Sequence, residues 1–248
     1  MALLVTEHLH KRFGETRAVD DVSLTIHPRE LVSLVGANGA GKTTLVNLVS
    51  GLLAPDSGRI VFQGADVTYQ PVPQRIRAGI ARSFQLVNLF DQLTALDNVR
   101  LAVFARDGKI RTATALAERD AAARDEAMAI LEQFGLLPKW HLPAASLAQG
   151  ERKLLDVAVA YALRPQLILL DEPTSGVGTR EKGRIMDTVS GVCREGGLTA
   201  VIVEHDMDVV FTYSDRIVVM HQGQILADGP PQQIREDERV ATTLLGRY

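Results

Sequence analysis

The sequence contains a single cysteine, Cys193, so no internal disulfide can form, and such cysteine usage fits a reducing compartment. It has no run of the roughly 18 apolar residues that a spanning helix needs, so no segment is expected to cross a bilayer. Glu7, His8 and His10 interrupt the start before an apolar stretch develops, which argues against a secretion signal. Excess charge of one sign is also missing. The 27 lysines and arginines meet 30 aspartates and glutamates, a net charge of −3, and no basic patch offers a footprint for nucleic acid. Zinc-type cysteine pairs, internal repeats and low-complexity segments are absent. The rest has ordinary globular composition: 46% apolar and 23% charged residues over 248 positions, enough for one large domain or two modest ones. The expectation is a soluble, cytoplasmic protein that can still dock on a membrane protein.

Against that background one run is specific. Gly36-Ala37-Asn38-Gly39-Ala40-Gly41-Lys42-Thr43 fits the phosphate-binding pattern G-x-x-x-x-G-K-[ST] at every required position. The buried-strand run Leu31–Val35 precedes it, and Thr44–Val49 opens an apolar helix. Glycines let the backbone turn tightly and bring its N–H groups onto phosphate oxygens. The helix N-terminus adds partial positive charge, Lys42 is placed for the β- and γ-phosphates, and the Thr43 hydroxyl suits Mg²⁺. A nucleoside triphosphate is the expected ligand.

Strand signals flank this loop. Leu3–Val5, Val22–Ile26 and Arg59–Phe62 are short and apolar or alternating, and Ile80–Phe84 reads as one more strand. Between about Val87 and Tyr161 the texture turns helical. Ala115–Phe134 is alanine-rich, with a charged side expected to be solvated, and a second helix is predicted over Gly150–Leu163, before Pro165. Strands return at Leu167–Leu170, Thr199–Val203 and Arg216–Met220. Wholly apolar strands separated by helices predict a parallel sheet covered on both faces. The helical stretch reads as an insertion into an α/β core.

Asp171 and Glu172 end one such strand. Ligands bind beyond the carboxyl ends of parallel strands, so both acids can face the phosphates. Asp171 suits Mg²⁺, and Glu172 is a candidate base for the attacking water. His205 follows another strand end and could bind the γ-phosphate, although a lone histidine there is more often structural. Gln85 could ligate Mg²⁺ or report nucleotide state to the insertion; in isolation it is a plain loop residue.

With Ser146-Leu147-Ala148-Gln149-Gly150-Glu151 placed just before a helix, the ordered set of motifs resembles an ATP-binding-cassette (ABC) ATPase over essentially the whole chain, residues 3–246. The resemblance implies an α/β P-loop NTPase fold. Its core would be a RecA-like, mostly parallel sheet, with N-terminal antiparallel strands and a helical subdomain inserted at about 87–161. Gly36, Asn38, Gly39, Ala40, Gly41, Lys42, Thr43 and Thr44 match the Walker A phosphate site, and Gln85 matches the Q-loop. Leu147, Ala148, Gln149, Gly150 and Glu151 match the signature that meets a partner's ATP. Asp171 and Glu172 match the Walker B acids and His205 the switch histidine. Thr43, Gln85 and Asp171 would share Mg²⁺. Phe13 takes the place of the adenine-stacking aromatic, a core phenylalanine being the other reading.

In this family two subunits pair head to tail, ATP binding closes the pair, and the helical insertion docks on permease subunits. The resemblance therefore implies ATP hydrolysis coupled to transport, with the chain peripheral on the inner face of the cell membrane. A separate solute-binding protein would take part indirectly. Ala81–Gln85, Asn88–Phe90, Leu93–Val99 and the tail Gly223–Gly229 look like the uptake ATPases for branched-chain amino acids, or their urea and amide relatives. A lipopolysaccharide-export ATPase has a similar tail. A soluble cassette ATPase in an assembly such as iron–sulfur scaffolding is the reading from another class. Two departures touch what the chain offers a partner: Ala148 and Gln149 replace the usual serine and glycine of the signature, and Gly178 replaces a usual aspartate. Losing a hydroxyl bond to phosphate is worth about 1.5–3 kcal/mol. The expectation is a heterodimer with a different ATPase and two unequal ATP sites, with a homodimer as the alternative.

Overall fold

Two sheets and the helices between and around them carry the fold, in a computed structural model that describes residues 1–83, 89–109 and 120–244. In chain order the first half comprises β1 (Leu4–Phe13), β2 (Thr16–Ile26), β3 (Leu31–Val35), α1 (Lys42–Ser50), β4 (Ser57–Phe62), β5 (Ala65–Asp66), α2 (Val72–Ala78) and β6 (Ile80–Arg82). Helices α3 (Ala95–Arg106), α4 (Ala121–Gln133) and α5 (Gln149–Ala162) follow. The second half then runs β7 (Leu167–Asp171), α6 (Thr179–Glu195), β8 (Thr199–Val203), α7 (Met207–Tyr213), β9 (Arg216–His221), β10 (Gln224–Gly229), α8 (Pro231–Glu236) and α9 (Glu238–Leu244).

The larger sheet has the order β10-β9-β3-β8-β7-β6, parallel throughout except for the terminal β9–β10 hairpin. The smaller sheet, β2-β1-β4-β5, is antiparallel. Alternation along the parallel strands assigns each face its own core. Ile168 and Leu170 of β7, with Ala200 and Ile202 of β8, pack against the face of α3, α4, α5 and α6. Leu167, Leu169, Val201 and Val203 point the other way, onto α1 and the apolar side of the small sheet. Two covered faces are what a parallel sheet of wholly apolar strands requires. Cys193 lies in the first of these cores, 4% exposed, on α6.

Helix α1 is thus enclosed between the two sheets, and its C-terminal end needs donors that solvent cannot supply. Arg75, 1% exposed, provides them. Its guanidinium donates to the carbonyls of Leu48 and Val49 and, at 2.8 Å, to that of Thr68.

Most predicted strands and helices are found with small shifts, but β1 and β2 run well beyond the Leu3–Val5 and Val22–Ile26 expected, over Leu4–Phe13 and Thr16–Ile26. The strand expected over Ile80–Phe84 ends at Arg82, and Phe84 lies outside the described residues. The helix expected over Ala115–Phe134 is described from Ala121, where Asp120 caps it by accepting from Ala123 N–H at 3.0 Å; residues 115–119 lie outside. On its charged side Arg124 and Asp125 are exposed, as expected, while Glu126 is half-buried. Glu126 takes Arg106 of α3 in two hydrogen bonds and also pairs with Arg164. Helix α3 itself escaped the sequence reading, although Thr94, its N-cap, accepts from Asp97 N–H at 3.0 Å in a recognisable capping pattern.

Candidate functional site

Strand order explains why distant motifs meet. The neighbours β3, β8, β7 and β6 run parallel, so their carboxyl ends line one edge of the sheet. The Gly36–Thr43 loop leaves β3, Glu204–His205 leave β8, and Asp171–Glu172 close β7. Gln85, beyond β6, lies outside the described residues.

The loop is shaped by glycine at two positions. At Gly36 (φ +156) a Cβ would collide with the Met220 carbonyl of β9, and at Gly41 (φ +103) with the Ala18 carbonyl of β2. Both sheets therefore press on the loop and hold it. Gly41 is also the N-cap of α1, in a left-handed conformation and with no side-chain cap, so the first amides of that helix are left for another acceptor. Asn38, Gly39 and Thr43 are exposed, Thr44 is half-buried, and Ala40 and Lys42 are buried. The Lys42 ammonium donates to the carbonyls of Gly36 (2.7 Å) and Ala37 (3.0 Å). Burial pulls it below the usual lysine range, while the charges of Glu172 and Asp171 act to raise it.

Asp171 is 3% exposed and its two oxygens are treated differently. Oδ2 accepts from Arg82 Nη2 at 2.8 Å, whereas Oδ1 is buried without a partner among the described residues. Arg82 also reaches Asn47 and Ser50 of α1, so one guanidinium ties β6, α1 and β7 together. Asp171 Oδ1, a buried carboxylate oxygen without a partner among the described residues and held in orientation through Oδ2, is a hard donor of the kind Mg²⁺ takes, and Asp171 fits that ion.

Glu172 follows immediately with φ +50, a left-handed conformation unusual for a residue with a side chain. Its N–H donates to the Val203 carbonyl at 2.9 Å, and its Oε1 meets His205 Nε2 at 2.9 Å. A carboxylate bonded to a partly exposed imidazole can accept a proton from water and keep a defined orientation. Behind them Glu204, 3% exposed, accepts from both the N–H and the hydroxyl of Thr174 and fixes the turn after Glu172.

Phe13, at the end of β1, is 51% exposed with Lys11 5.9 Å from its ring centre. That exposure removes the core-phenylalanine reading. Leu147 is buried, and Ala148 precedes α5. Glu151 is occupied within the chain: it accepts from Ala148 N–H at 3.1 Å and pairs with Lys139 at 2.6 Å. Gly150 lies against the Glu181 carboxylate, and the Gln149 amide lies against Gly176. Gly178, at the start of α6, has open space where a side chain would be. Arg82, and Lys153, whose ammonium donates to the Glu172 carbonyl at 3.3 Å, are the residues at this site that the sequence does not single out. Charged residues in an apolar strand and on a buried helix face were the available signal, since such residues are rarely buried without a partner.

Residues 19–175 match the family described as "ABC transporter". The chain is 35% identical to the high-affinity branched-chain amino acid transport ATP-binding protein LivG of Escherichia coli K12, over 98% of both chains. It is 34% identical to BraF of Pseudomonas aeruginosa, which carries the same description, again over 98% of both. Among solved structures it resembles MJ1267, an ATP-binding cassette of an ABC transporter, in its ADP conformation. The TM-score there is 0.86 at 30% identity, over the full length of both chains. It also resembles the dimeric post-hydrolysis cassette MJ0796 bound to ADP and Pi, with TM-score 0.77 and 27% identity over 92% of this chain and 98% of that one. With the phosphate loop, the strand-end acids and these likenesses together, the chain belongs to the ABC transporter family as one of its ATP-binding, ATP-hydrolysing subunits.

Proposed function

We propose that this ATPase powers uptake of branched-chain amino acids, or a closely related small solute, through a separate membrane permease. The observation that carries the solute class is the end-to-end likeness to LivG and BraF, both described as branched-chain amino acid transport proteins. Residues 3–246 act as one cassette, and the helical stretch at about 87–161 docks on permease subunits at the inner face of the membrane. A solute-binding protein supplies the cargo from the other side.

Each site residue then has a task. The loop amides from Gly36 to Thr44 and the Lys42 ammonium bind the triphosphate, and Phe13 stacks on the adenine. Thr43, Gln85 and Asp171 hold Mg²⁺, which offsets phosphate charge when bound. Arg82 keeps Asp171 oriented through Oδ2 and leaves Oδ1 for the ion. Glu172 takes the proton of the attacking water, and His205 holds the carboxylate and contacts the γ-phosphoryl group. Leu147 to Glu151 face the ATP of a second subunit. The bare positions Ala148 and Gly178 fit a partner of different sequence, so a heterodimer with unequal sites is the assembly we favour.

The test is to tag the chain, solubilise membranes gently with MgATP, identify what co-purifies, and measure leucine uptake in cells lacking it. A polytopic permease, a second cassette ATPase and a loss of leucine uptake are expected. Recovery with soluble proteins alone, or intact uptake of leucine, isoleucine and valine, would overturn the solute and partner assignment.

A further inference from the structure

We infer that Lys153 is a positioning residue for ATP hydrolysis: from the signature helix of the same chain it fixes the backbone on which Glu172 stands. The inference rests on Glu172 being the base proposed above. Lys153 lies on α5, within one turn of Gly150, and is 6% exposed. Its ammonium donates to the Glu172 carbonyl at 3.3 Å and to the Ser175 hydroxyl at 3.1 Å. Burying an ammonium is costly, and an apolar side chain of similar length would pack α5 without that penalty. Asp156, Glu172, Glu204 and Asp171 surround the charge and favour it, while burial pulls the ammonium below the usual lysine range.

The contact falls where the backbone needs support. Left-handed φ at a residue with a side chain persists only when its surroundings over-determine it. At Glu172 the N–H is held by Val203, and the carbonyl is held by Ser175 N–H at 3.1 Å and by Lys153. Two of these three ties belong to β8 and to the turn itself. Lys153 alone comes from α5, the helix whose first residues form the signature. Gln149 against Gly176 and Gly150 against Glu181 continue the same seam between α5 and the segment after Glu172. A displacement of the signature segment therefore pulls directly on the Glu172 carbonyl and re-aims Oε1 relative to His205. Each subunit's own base thus depends on the helix that this subunit offers to its partner's nucleotide.

The experiment compares MgATP turnover and nucleotide binding of the assembled transporter, purified through this chain, with those of complexes carrying Lys153→Met, Lys153→Arg, Ser175→Ala or Glu172→Gln. Lys153→Met should lower kcat at least about tenfold with KM for ATP within about twofold, because the loop around Lys42 is untouched. Lys153→Arg, which restores a long cationic donor, should recover most of kcat. Ser175→Ala, which buries nothing new, should lower kcat a few-fold at unchanged KM. It reads the same contact if Lys153→Met does not fold. Near-normal turnover in Glu172→Gln would overturn the role of Glu172 itself. With Glu172→Gln inactive, the Lys153 inference fails on wild-type kcat in Lys153→Met. It also fails on a loss carried by KM, or on wild-type kcat in Ser175→Ala.

Discussion

The charges that matter are few, and each is held by a different part of the chain. Lys42 is buried inside its own loop and bonded to the carbonyls of Gly36 and Ala37, so bound phosphate would draw an ammonium that is already desolvated. Lys42→Ala is expected to weaken nucleotide binding at least about tenfold, as read by fluorescence titration with an ATP analogue. Unchanged affinity would show that the loop amides suffice. Glu172→Gln keeps the size of the side chain and a hydrogen bond toward His205 but removes the proposed proton acceptor. Turnover should fall about 100-fold or more while ATP affinity stays within about twofold. At this scale the sequence was informative wherever a task is local. The Walker loop is contiguous, and Asp171 and Glu172 close a readable strand. Arg82 went unread because its partner Asp171 is 89 positions away, and Lys153 because its acceptor is a backbone carbonyl on another element. Pattern along one strand or helix cannot report either contact.

Among the elements, the two glycines that look alike in the motifs do different work. Gly41 holds a left-handed turn at the start of α1 and faces the Ala18 carbonyl, which cannot move without shifting β2. Gly150 has an ordinary backbone, and a Cβ there would meet the Glu181 side chain, from its carboxylate to Cγ, and no backbone atom among its nearest neighbours. Gly41→Ala should therefore cost at least about 1–2 kcal/mol from its dihedral alone and abolish ATP binding. Gly150→Ala should fold with a melting temperature close to that of the parent, because Glu181 can rotate away. Calorimetry of both variants, with and without ATP, checks the pair. Equal destabilisation would refute the distinction. The apolar strands were legible from alternation and length because a sheet covered on both faces leaves a plain hydrophobic signal. The small sheet was only partly legible. Register shifts along β1 and β2 break their alternation, so only the ends of those long strands looked like strands. The Glu126 contact on α4 is illegible in the sequence because its partner, Arg106, lies 20 positions away on α3.

For the whole molecule the open matter is how two cassettes meet. Leu147 is buried, Glu151 is engaged with Lys139, and Ala148 and Gly178 contribute little beyond backbone, so the face proposed to meet a partner's nucleotide is sparse. A chain carrying Asn38→Cys mixed with one carrying Ala148→Cys would be joined by a short thiol cross-linker only if this chain pairs with itself. With ATP and magnesium we expect no such product until the second ATPase of the transporter is supplied. Efficient self-linking would overturn the heterodimer. Assembly of this kind has no signature in one sequence beyond departures from a family pattern, which is why it stays the least legible level.

Such cross-linking is simplified by the one thiol already present. Cys193 is buried in α6, and burial pushes its pKa up to about 12, so near pH 8 it is protonated, shielded and a poor nucleophile. Ellman's reagent should find almost no reactive sulfur in the folded chain and one per chain after denaturation. The natural protein is then already a blank background for labelling. A spin probe or dye attached at an introduced cysteine reports on that position alone, without first removing a core side chain.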